Sequence, residues 1–486
     1  MIDHVALLPA YLAAGTAILV FLADILVGRR GAVLSCGALG ALATAAVAAW
    51  LGTRADRSTF CVDGAGCSYV VDDTAALLAV LFALLTLGVL AFSAGVLREG
   101  ELPSGEYCFL LACSMTGGVV LAHAGDLITL IVALETLTLP LYVLVGLRRR
   151  VLESAEGAVT FFIVSVVATA VTLLGAALLY AATGAVHFDR LAAALDAAPG
   201  GGPTGRLIAA SVVLVIAGLA FKVAAVPFHA WAPAAYDGAP VPVAAYLSTA
   251  SKLGGVVAIL YVTVDALQPR LDVAGPALAV LALLTMTVGN LVALRQRRMV
   301  RLLAWSSVAQ AGYILAPLGA FTVASGRADI GLAVTATVAY TVFYVLMELA
   351  AFGAVVALRP ADADGGEIAD YRGAARRSPW IAGAFVLALV GLAGLPPGLA
   401  GLFAKVAIVR SLLGGGAGWL AVAVALNAVI GLAYYVRVAA QLFAPAPAAE
   451  TRARVHWAAA AALAVATVVA VVIGFAPQLV LDVAAS

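Results

Sequence analysis

The residues best suited to chemistry in this chain are its three lysines, Lys222, Lys252 and Lys405, which all lie inside long apolar stretches. Lysine and arginine together number 27, so the other 24 are arginines, and all but one lie at or near the ends of apolar runs. An arginine keeps its proton in any protein environment, whereas a desolvated lysine can release one near neutral pH. The sequence therefore predicts that protons are taken up and released at the lysines.

A carboxylate shares this apolar setting. Glu135 lies about 14 Å into its predicted span and Lys252 about 18 Å into its own, at 1.5 Å per residue. Both depths are near the middle of a roughly 30 Å hydrocarbon core. A charge there is costly unless it is paired or hydrated, and it usually marks a proton or ion path. A static ion pair between Glu135 and Lys222 is the structural alternative, but three lysines and a carboxylate on separate spans favour a path.

Composition places these residues in a membrane protein. Of the 486 residues, 64% are hydrophobic and 11% are charged, whereas a water-soluble domain has about 25% charged residues. A helix needs about 20 apolar residues to cross the hydrocarbon core, and this length predicts an all-α bundle of about 14 transmembrane helices. The predicted spans lie near 5–27, 31–51, 73–95, 105–123, 126–147, 157–182, 207–232, 240–265, 275–294, 301–322, 329–357, 379–412, 418–442 and 457–482. The net charge of +1 gives no sign of a nucleic-acid partner.

The arginines predict an orientation, because cytoplasmic loops carry an excess of basic residues. An outside N-terminus places sixteen arginines in the cytoplasm: Arg29, Arg30, Arg98, Arg148, Arg149, Arg150, Arg295, Arg297, Arg298, Arg301, Arg359, Arg372, Arg376, Arg377, Arg452 and Arg454. It places seven on the opposite side: Arg54, Arg57, Arg190, Arg206, Arg270, Arg327 and Arg410. An even number of spans then returns the C-terminus to the outside. The first apolar run has no basic segment before it, so we interpret it as an uncleaved helix.

The cysteines and short motifs exclude several kinds of chemistry. Cys61 and Cys67 share the predicted outer loop 52–72, where an oxidising compartment could join them or leave two thiols. No C-x-x-C motif supplies ligands for an iron–sulfur cluster or a zinc site. No G-x-G-x-x-G motif on a strand–helix unit and no Walker A motif occur either. Electron transfer, nucleotide binding and ATP hydrolysis are therefore expected on other chains, and we predict no cofactor or metal on this one.

A weak internal repeat organises the middle of the chain. Residues 221–226 and 404–409 each carry a lysine at the second position, with Pro227 beside the first and Pro396-Pro397 near the second. Interrupted helices at corresponding positions of two repeats mark ion sites in transporters. The pairing predicts two inverted five-helix repeats, with broken helices at spans seven and twelve. The predicted segments are an N-terminal three-helix segment at 1–104, the repeats at 105–265 and 266–442, and a C-terminal helix at 443–486.

Several stretches resemble the antiporter-like subunits of respiratory complex I. They are residues 133–144 around Glu135, 221–233 from Phe221-Lys222 to Ala232-Pro233, 236–243, 301–307 with Gly312-Tyr313, and 394–405 from Gly394 to Lys405. The similarity covers most of spans four to thirteen. Within this family, the stretch Glu-x-x-x-Leu-Pro-Leu-Tyr-Val-Leu that begins at Glu135 is most similar to the N-type subunit of bacterial NADH:quinone oxidoreductase. Lys405 agrees with that type, because M-type subunits carry a glutamate at this position.

The resemblance implies a site and a set of partners. Glu135 and Lys222 would form a switchable pair, and Lys252 would relay protons along a hydrated central axis to Lys405. Approach of Lys222 to Glu135 would stabilise the charged lysine, and separation would send its proton onward. The resemblance places the chain in a bacterial inner membrane, with NADH, FMN, iron–sulfur clusters and quinone on partner subunits, so that this chain only moves protons.

Three positions depart from the family's pattern. Gln310 stands where the family often has a histidine, and because an amide carries no proton at physiological pH, a relay there would need water. Ala234 replaces an expected acidic residue, and Asp237 could do part of its work. Glu348 is an additional carboxylate deep in span eleven. We interpret it either as a neutral, hydrogen-bonded residue or as an added relay acid.

The remaining candidates have two interpretations each. His229, at the break of span seven, either bridges the loop and the central axis or is a structural imidazole. Tyr340 and Tyr344 stand four residues apart on one helix face, so their hydroxyls either hydrate a polar axis or the rings simply pack. The residues alone also leave two other functions open: a D-like component of a multi-subunit Na+/H+ antiporter, and a structural bundle with static ion pairs.

Overall fold

A computed structural model describes residues 2–100, 102–148, 151–360, 364–445 and 455–485. Four arginines used to predict the orientation, Arg149, Arg150, Arg452 and Arg454, lie outside the described residues. The described chain is a bundle of helices, as the sequence predicts, with one small β-hairpin that the all-α prediction missed.

Among the described residues, twelve helices are long and apolar enough to cross a membrane. They are α1 (Leu8–Val27), α2 (Arg30–Leu51), α3 (Asp73–Glu99), α4 (Ser104–Ala122), α5 (Leu127–Val145), α6 (Leu152–Thr183), α8 (Gly202–Lys222), α10 (Val241–Ala266), α11 (Gln268–Ala293), α13 (Ile330–Leu358), α16 (Gly418–Phe443) and α17 (Trp457–Phe475). Six shorter helices also matter for the site: α7 (Phe188–Ala197), α9 (Trp231–Gly238), α12 (Met299–Leu315), α14 (Pro379–Ala393), α15 (Leu399–Gly414) and α18 (Gln478–Ala485).

Two of the predicted spans are therefore not single long helices in the structure. Span ten is the 17-residue helix α12, and span twelve consists of α14 and α15 with a break between them. Span seven also breaks, because α8 ends at Lys222 and the chain resumes a helix only at α9. Both breaks lie where the proline and glycine pattern predicts them. The count of fourteen and the inverted repeats stay predictions.

Aspartates begin three of the long helices. Asp72 accepts a hydrogen bond from the Ala75 backbone N–H at 2.7 Å, and Asp126 accepts one from Thr129 at 2.8 Å. Asp329 caps α13 in the same way. A side-chain oxygen at this position satisfies one of the four unpaired N–H groups at a helix start. Because α3, α5 and α13 are all odd-numbered spans in the predicted topology, these caps lie at the same predicted end of the bundle.

The hairpin lies at the end of the bundle that holds these caps. Strands β1 (Arg57–Val62) and β2 (Gly66–Val71) pair antiparallel, and a disulfide joins Cys61 to Cys67. The sequence did not decide whether these two cysteines form a disulfide, and the structure contains one. Arg57 ties the hairpin to Asp3 through a 2.8 Å ion pair.

The opposite end of the bundle, called here the arginine-rich end, holds a second set of contacts. Asp364 pairs with both Arg148 and Arg359, and Arg298 pairs with Asp237 at 2.9 Å. All three arginines belong to the group predicted to be cytoplasmic. Arg57 and Arg190, from the opposite group, both contact the hairpin end. These five arginines therefore lie at two opposite ends of the bundle, as their two predicted groups require.

Candidate functional site

The break in span seven positions the first lysine. Lys222 is the last residue of α8, and beyond it the Trp231 indole donates to the Phe221 carbonyl at 3.1 Å. The Val226 N–H donates to Thr285 Oγ1 at 2.9 Å. Non-helical backbone is tolerated at membrane depth only where such internal partners satisfy it. The sequence after Lys222 thus stops the helix while keeping its backbone groups bonded.

Lys222 and Glu135 are in direct contact. Lys222 Nζ lies 2.7 Å from Glu135 Oε1, and it also donates to Ser165 Oγ at 3.1 Å and to Thr138 Oγ1 at 3.2 Å. An ammonium has three N–H donors, so each has an acceptor in this arrangement. Thr169 donates to the same Glu135 oxygen at 2.6 Å. The Lys222 side chain is 4% exposed and that of Glu135 is 22% exposed, so the pair is largely shielded from solvent.

Small residues allow the helices to approach closely enough for these contacts. A Cβ at Gly218 of α8 would lie 2.1 Å from Thr172 Oγ1 of α6, so α8 and α6 touch at this point. A Cβ at Gly255 of α10 would lie 2.8 Å from the Lys222 carbonyl carbon. Small residues at such crossings are typical of membrane helix packing. Lys222 is therefore held from one side by α6 and from the other by α10.

Lys252 lies in α10 and reaches α12. Its Nζ donates to the Ser307 carbonyl at 2.6 Å and to Ser307 Oγ at 2.7 Å. The Tyr344 hydroxyl bonds the same Ser307 Oγ at 2.8 Å and donates to the Ser248 carbonyl at 2.8 Å. Ser248 belongs to a wide π-helical turn at Leu247–Ser251, and such turns are frequent at functional sites. Lys252 is 2% exposed, and none of the ion pairs found in the described ranges includes it.

Lys405 lies beside the second break. Its Nζ donates to the carbonyls of Leu392 at 3.2 Å and Ala393 at 2.5 Å, the last residues of α14. Gly394 follows with φ of +81°, and a Cβ there would lie 2.5 Å from Lys405 Cδ. A glycine is therefore required both by the backbone conformation and by the lysine side chain. Lys405 Nζ also lies 5.0 Å from the centre of the Tyr313 ring, a cation–π geometry.

Gln310 connects the second half of the site. Its Nε2 donates to the Leu392 carbonyl, which Lys405 also binds, at 3.1 Å, and to the Tyr435 hydroxyl at 3.0 Å. Its Oε1 accepts from Tyr340 at 2.6 Å. Tyr435 in turn bonds Ser306, the neighbour of Ser307. A polar path therefore runs from Lys252 through the two serines, Tyr435 and Gln310 to Lys405.

Glu348 lies next to this path. It is fully buried in α13, one helical turn beyond Tyr344, and it interacts electrostatically with Lys252. Neither carboxyl oxygen is within hydrogen-bonding distance of another polar atom of the described residues. The interpretation of Glu348 as a neutral, hydrogen-bonded residue requires a hydrogen-bond partner, and the described residues provide none. Its role stays a prediction.

The two remaining candidates, His229 and Asp237, contact residues other than the lysines. The ring centre of His229 is 5.2 Å from that of Trp305, within the break of span seven. Asp237 pairs with Arg298 at the arginine-rich end.

The two candidate tyrosines both contact the polar path. The Tyr340 hydroxyl bonds Gln310, and the Tyr344 hydroxyl bonds Ser307.

Sequence reasoning missed the hydroxyl residues that complete the site. Ser165 and Thr169 of α6 stand four residues apart and face the Glu135–Lys222 pair. Ser307 holds Lys252, and Tyr435 joins Ser306 to Gln310. The i, i+4 spacing of two hydroxyls in an apolar helix is the one signal that could have identified the first two residues.

Comparisons with known proteins identify the family of the chain. The family model described as NADH:quinone oxidoreductase/Mrp antiporter, TM matches residues 124–431. NADH-quinone oxidoreductase subunit N of Salinispora tropica is 64% identical over the full chain and 99% of the relative. The chain belongs to the NADH-quinone oxidoreductase subunit N family.

Two solved structures share the fold of this family member. A chain of respiratory complex I from Thermus thermophilus with bound aureothin is 30% identical, with a TM-score of 0.80 over 99% of this chain and 100% of that one. A chain of the Mrp complex from Dietzia sp. is 23% identical, with a TM-score of 0.81 over 98% and 96%. At 23% identity, the similarity to the Mrp chain shows a shared fold only. Every site residue predicted from the sequence lies inside the segment matched by the family model, and Tyr435 of the polar path lies just beyond it.

Proposed function

We propose that the chain is the N-type proton-translocating membrane subunit of an NADH:quinone oxidoreductase. The observation that carries the proposal is the contact of Lys222 with Glu135. The same bundle also holds a polar path from Lys252 to Lys405. The full-length identity of 64% to a subunit N supports the same assignment. Other subunits of the complex, in this proposal, hold NADH, FMN, the iron–sulfur clusters and quinone, and this chain carries no redox chemistry.

The proposed mechanism moves a proton between amines by changing the charge around each one. While Lys222 touches Glu135, the carboxylate and the two hydroxyls of Thr138 and Ser165 stabilise the protonated ammonium. When the pair separates, the ammonium is left in an apolar environment and gives up H+, keeping the electron pair on Nζ. Lys252 accepts that proton through water and passes it along the path to Lys405. A redox event in partner subunits would drive the separation.

Hydration supports the transfer steps in this proposal. Gln310 has no proton to exchange at physiological pH, and the described protein atoms leave both oxygens of Glu348 without a hydrogen-bond partner. Buried polar groups are nearly always bonded, by protein or by water. Water on the path between Lys252 and Lys405 would satisfy Glu348 and carry protons past the Gln310 amide.

We further propose a bacterial inner-membrane location with the arginine-rich end in the cytoplasm and both termini outside. The excess of arginines at one end supports this orientation. The disulfide of the hairpin supports it as well, since such bonds persist in oxidising compartments.

The test is proton pumping by the assembled complex in proteoliposomes. Glu135→Gln and Lys222→Ala should leave the complex assembled, suppress proton pumping, and lower quinone reduction to the extent that the two are coupled. Glu153→Gln, which changes an exposed carboxylate at the start of α6, is the matched control and should pump normally. Normal pumping by Glu135→Gln, with the variant verified in the membrane, would contradict the proposal. Copurification with small antiporter subunits and without redox subunits would instead favour the Na+/H+ antiporter.

A further inference from the structure

Lys405 differs from Lys222 in having no carboxylate partner among the described residues. Its Nζ binds two backbone carbonyls at the end of α14 and lies 5.0 Å from the centre of the Tyr313 ring. The face of an aromatic ring carries the negative part of its charge distribution, and the edge carries the positive part. The ring therefore stabilises the Lys405 ammonium only while it keeps its face toward the charge.

A buried amide anchors the other end of this ring. Asn290 Nδ2, in α11, donates to the Tyr313 hydroxyl at 2.9 Å. The Tyr434 hydroxyl of α16 donates to Asn290 Oδ1 at 3.0 Å, and Asn290 Nδ2 also donates to the Asn427 carbonyl at 3.1 Å. Both ends of the amide are thus bonded, so the Asn290 side chain cannot rotate without losing its bonds to Tyr313 and to α16.

Three glycines bring the helices together around the amide. A Cβ at Gly289, beside Asn290, would lie 2.6 Å from the α12 backbone, and one at Gly312, beside Tyr313, would lie 2.4 Å from the α11 backbone. A Cβ at Gly431 of α16 would lie 3.1 Å from Asn290 Oδ1. Small residues allow the backbones of membrane helices to approach this closely. The contact between Asn290 and Tyr313 is therefore fixed by the packing of α11, α12 and α16.

Asn290 lies beside the polar path and is not one of its steps. The path from Lys252 to Lys405 passes through Ser307, Tyr435 and Gln310 without using it. Asn290 is fully buried, and its amide carries no proton to exchange at physiological pH. Any influence on proton transfer must therefore come from the side chains that it positions.

We propose that Asn290 is a positioning residue for Lys405. It holds the face of the Tyr313 ring toward the ammonium, which has no carboxylate to stabilise it. Without this anchor the ring can turn its positive edge to the lysine, and the charged form of Lys405 loses support. This role deepens the proposed function and rests on it, because the charge of Lys405 matters only if the lysine carries protons. The simpler alternative is an amide that only joins three helices, as polar residues do in membrane bundles.

The test compares proton pumping by the assembled complex in proteoliposomes with and without Lys405. Asn290→Leu should lower the pumping rate several-fold when Lys405 is present. It should have no further effect in a Lys405→Gln background, since a neutral amide has no charge for the ring to stabilise. Tyr313→Phe removes only the anchored hydroxyl, should match Asn290→Leu in both backgrounds, and makes the same test if Asn290→Leu fails to assemble. Thr467→Val, which removes a hydroxyl bonded within α17, is the control and should pump normally.

Three results would overturn the positioning role. A fall by the same factor in both backgrounds would show that Asn290 acts independently of Lys405, as a joint between helices. Normal pumping by Asn290→Leu, with Lys405→Gln impaired, would leave the relay intact and remove Asn290 from it. Normal pumping by Lys405→Gln would contradict the relay through Lys405 in the proposed function, and the role of Asn290 with it.

Discussion

Gly255 lies directly against Lys222, so that a Cβ at Gly255 would be 2.8 Å from the Lys222 carbonyl carbon and 3.0 Å from its Cβ. The glycine is three residues after Lys252 in α10. One short stretch of α10 therefore carries the second lysine of the path and also fixes the position of the first. Lys252 therefore belongs to, and Lys222 packs against, the same short stretch of α10.

This contact predicts that Gly255→Ala impairs proton pumping without removing any proton carrier. The added methyl group must push Lys222 away from Glu135 or distort α10, and overpacking of this kind typically costs about 1–3 kcal/mol. Gly383→Ala is the matched control, because no atom lies within 4 Å of a Cβ there. Pumping by proteoliposomes should fall several-fold in the first variant and stay normal in the second. Equal pumping by both variants would show that the Lys222 position tolerates displacement.

The sequence could predict the charged residues of the site but not most of their partners. Glu135, Lys222 and the two breaks were predicted because buried charges and interrupted helices are rare in membrane spans. Ser165 and Thr169 were missed because a hydroxyl in a helix usually bonds its own backbone, as Thr138 does with the Leu134 carbonyl. Which hydroxyls reach across to another helix depends on how the helices cross.

The sequence likewise predicted only part of the fold. Apolar length predicts the long helices, but it does not predict that α12 is short or that residues 57–71 form a hairpin. The hairpin carries charged and polar residues outside the spans, where hydropathy gives no information about structure. The π-helical turns of α10 were also missed, since Ser248 gives its carbonyl to Tyr344 only after the helices have packed.

Glu348 is expected to act as a relay acid. Its carboxyl group is buried, interacts electrostatically with Lys252 and has no hydrogen bond to the described protein atoms. Glu348→Gln keeps the shape and loses the exchangeable proton, so proton pumping should slow several-fold while the complex stays assembled. Glu348→Leu tests the structural alternative, which requires a hydrogen-bonding side chain for assembly. Wild-type pumping by the Gln variant would end the relay assignment, and poor assembly of the Leu variant would then support the structural role.

Gln310 is expected to hold the path between Lys252 and Lys405 together. Gln310→Leu removes its hydrogen bonds to Tyr340, Tyr435 and the Leu392 carbonyl. Leaving buried groups unsatisfied costs about 1–3 kcal/mol each, so both the thermal stability of the complex and its pumping rate should fall. Gln310→His keeps a hydrogen-bonding side chain that can also carry a proton, and it should pump faster than the Leu variant. Full pumping by the Leu variant would remove Gln310 from the path.

The Cys61–Cys67 bond gives a test of the orientation. If the hairpin faces the outside, peptide mass spectrometry of membranes prepared without reductant should recover the disulfide. After mild reduction, a membrane-impermeant thiol reagent added to intact cells with a permeable outer envelope should label both cysteines. Cys36, Cys108 and Cys113, within or beside the spans, serve as internal controls and should stay unlabelled. Labelling only after the inner membrane is opened would reverse the orientation.

The central claim is that the lysines of the path change charge during turnover and do not merely hold helices together. Arginine keeps its positive charge permanently, so Lys252→Arg and Lys405→Arg separate the two roles. Static ion contacts would tolerate arginine better than alanine, because the guanidinium can still donate to carbonyls such as those of Leu392 and Ala393. Arg410→Lys, a conservative change on the same helix as Lys405, controls for the swap itself.

The decisive measurement is the initial rate of proton uptake by proteoliposomes that contain the assembled complex, compared for Lys252→Arg, Lys252→Ala and the wild type. The account predicts that both variants lose most of the rate, by about tenfold or more, as expected when a proton-transfer group is removed. A rate for Lys252→Arg near that of the wild type, with Lys252→Ala impaired, would contradict it.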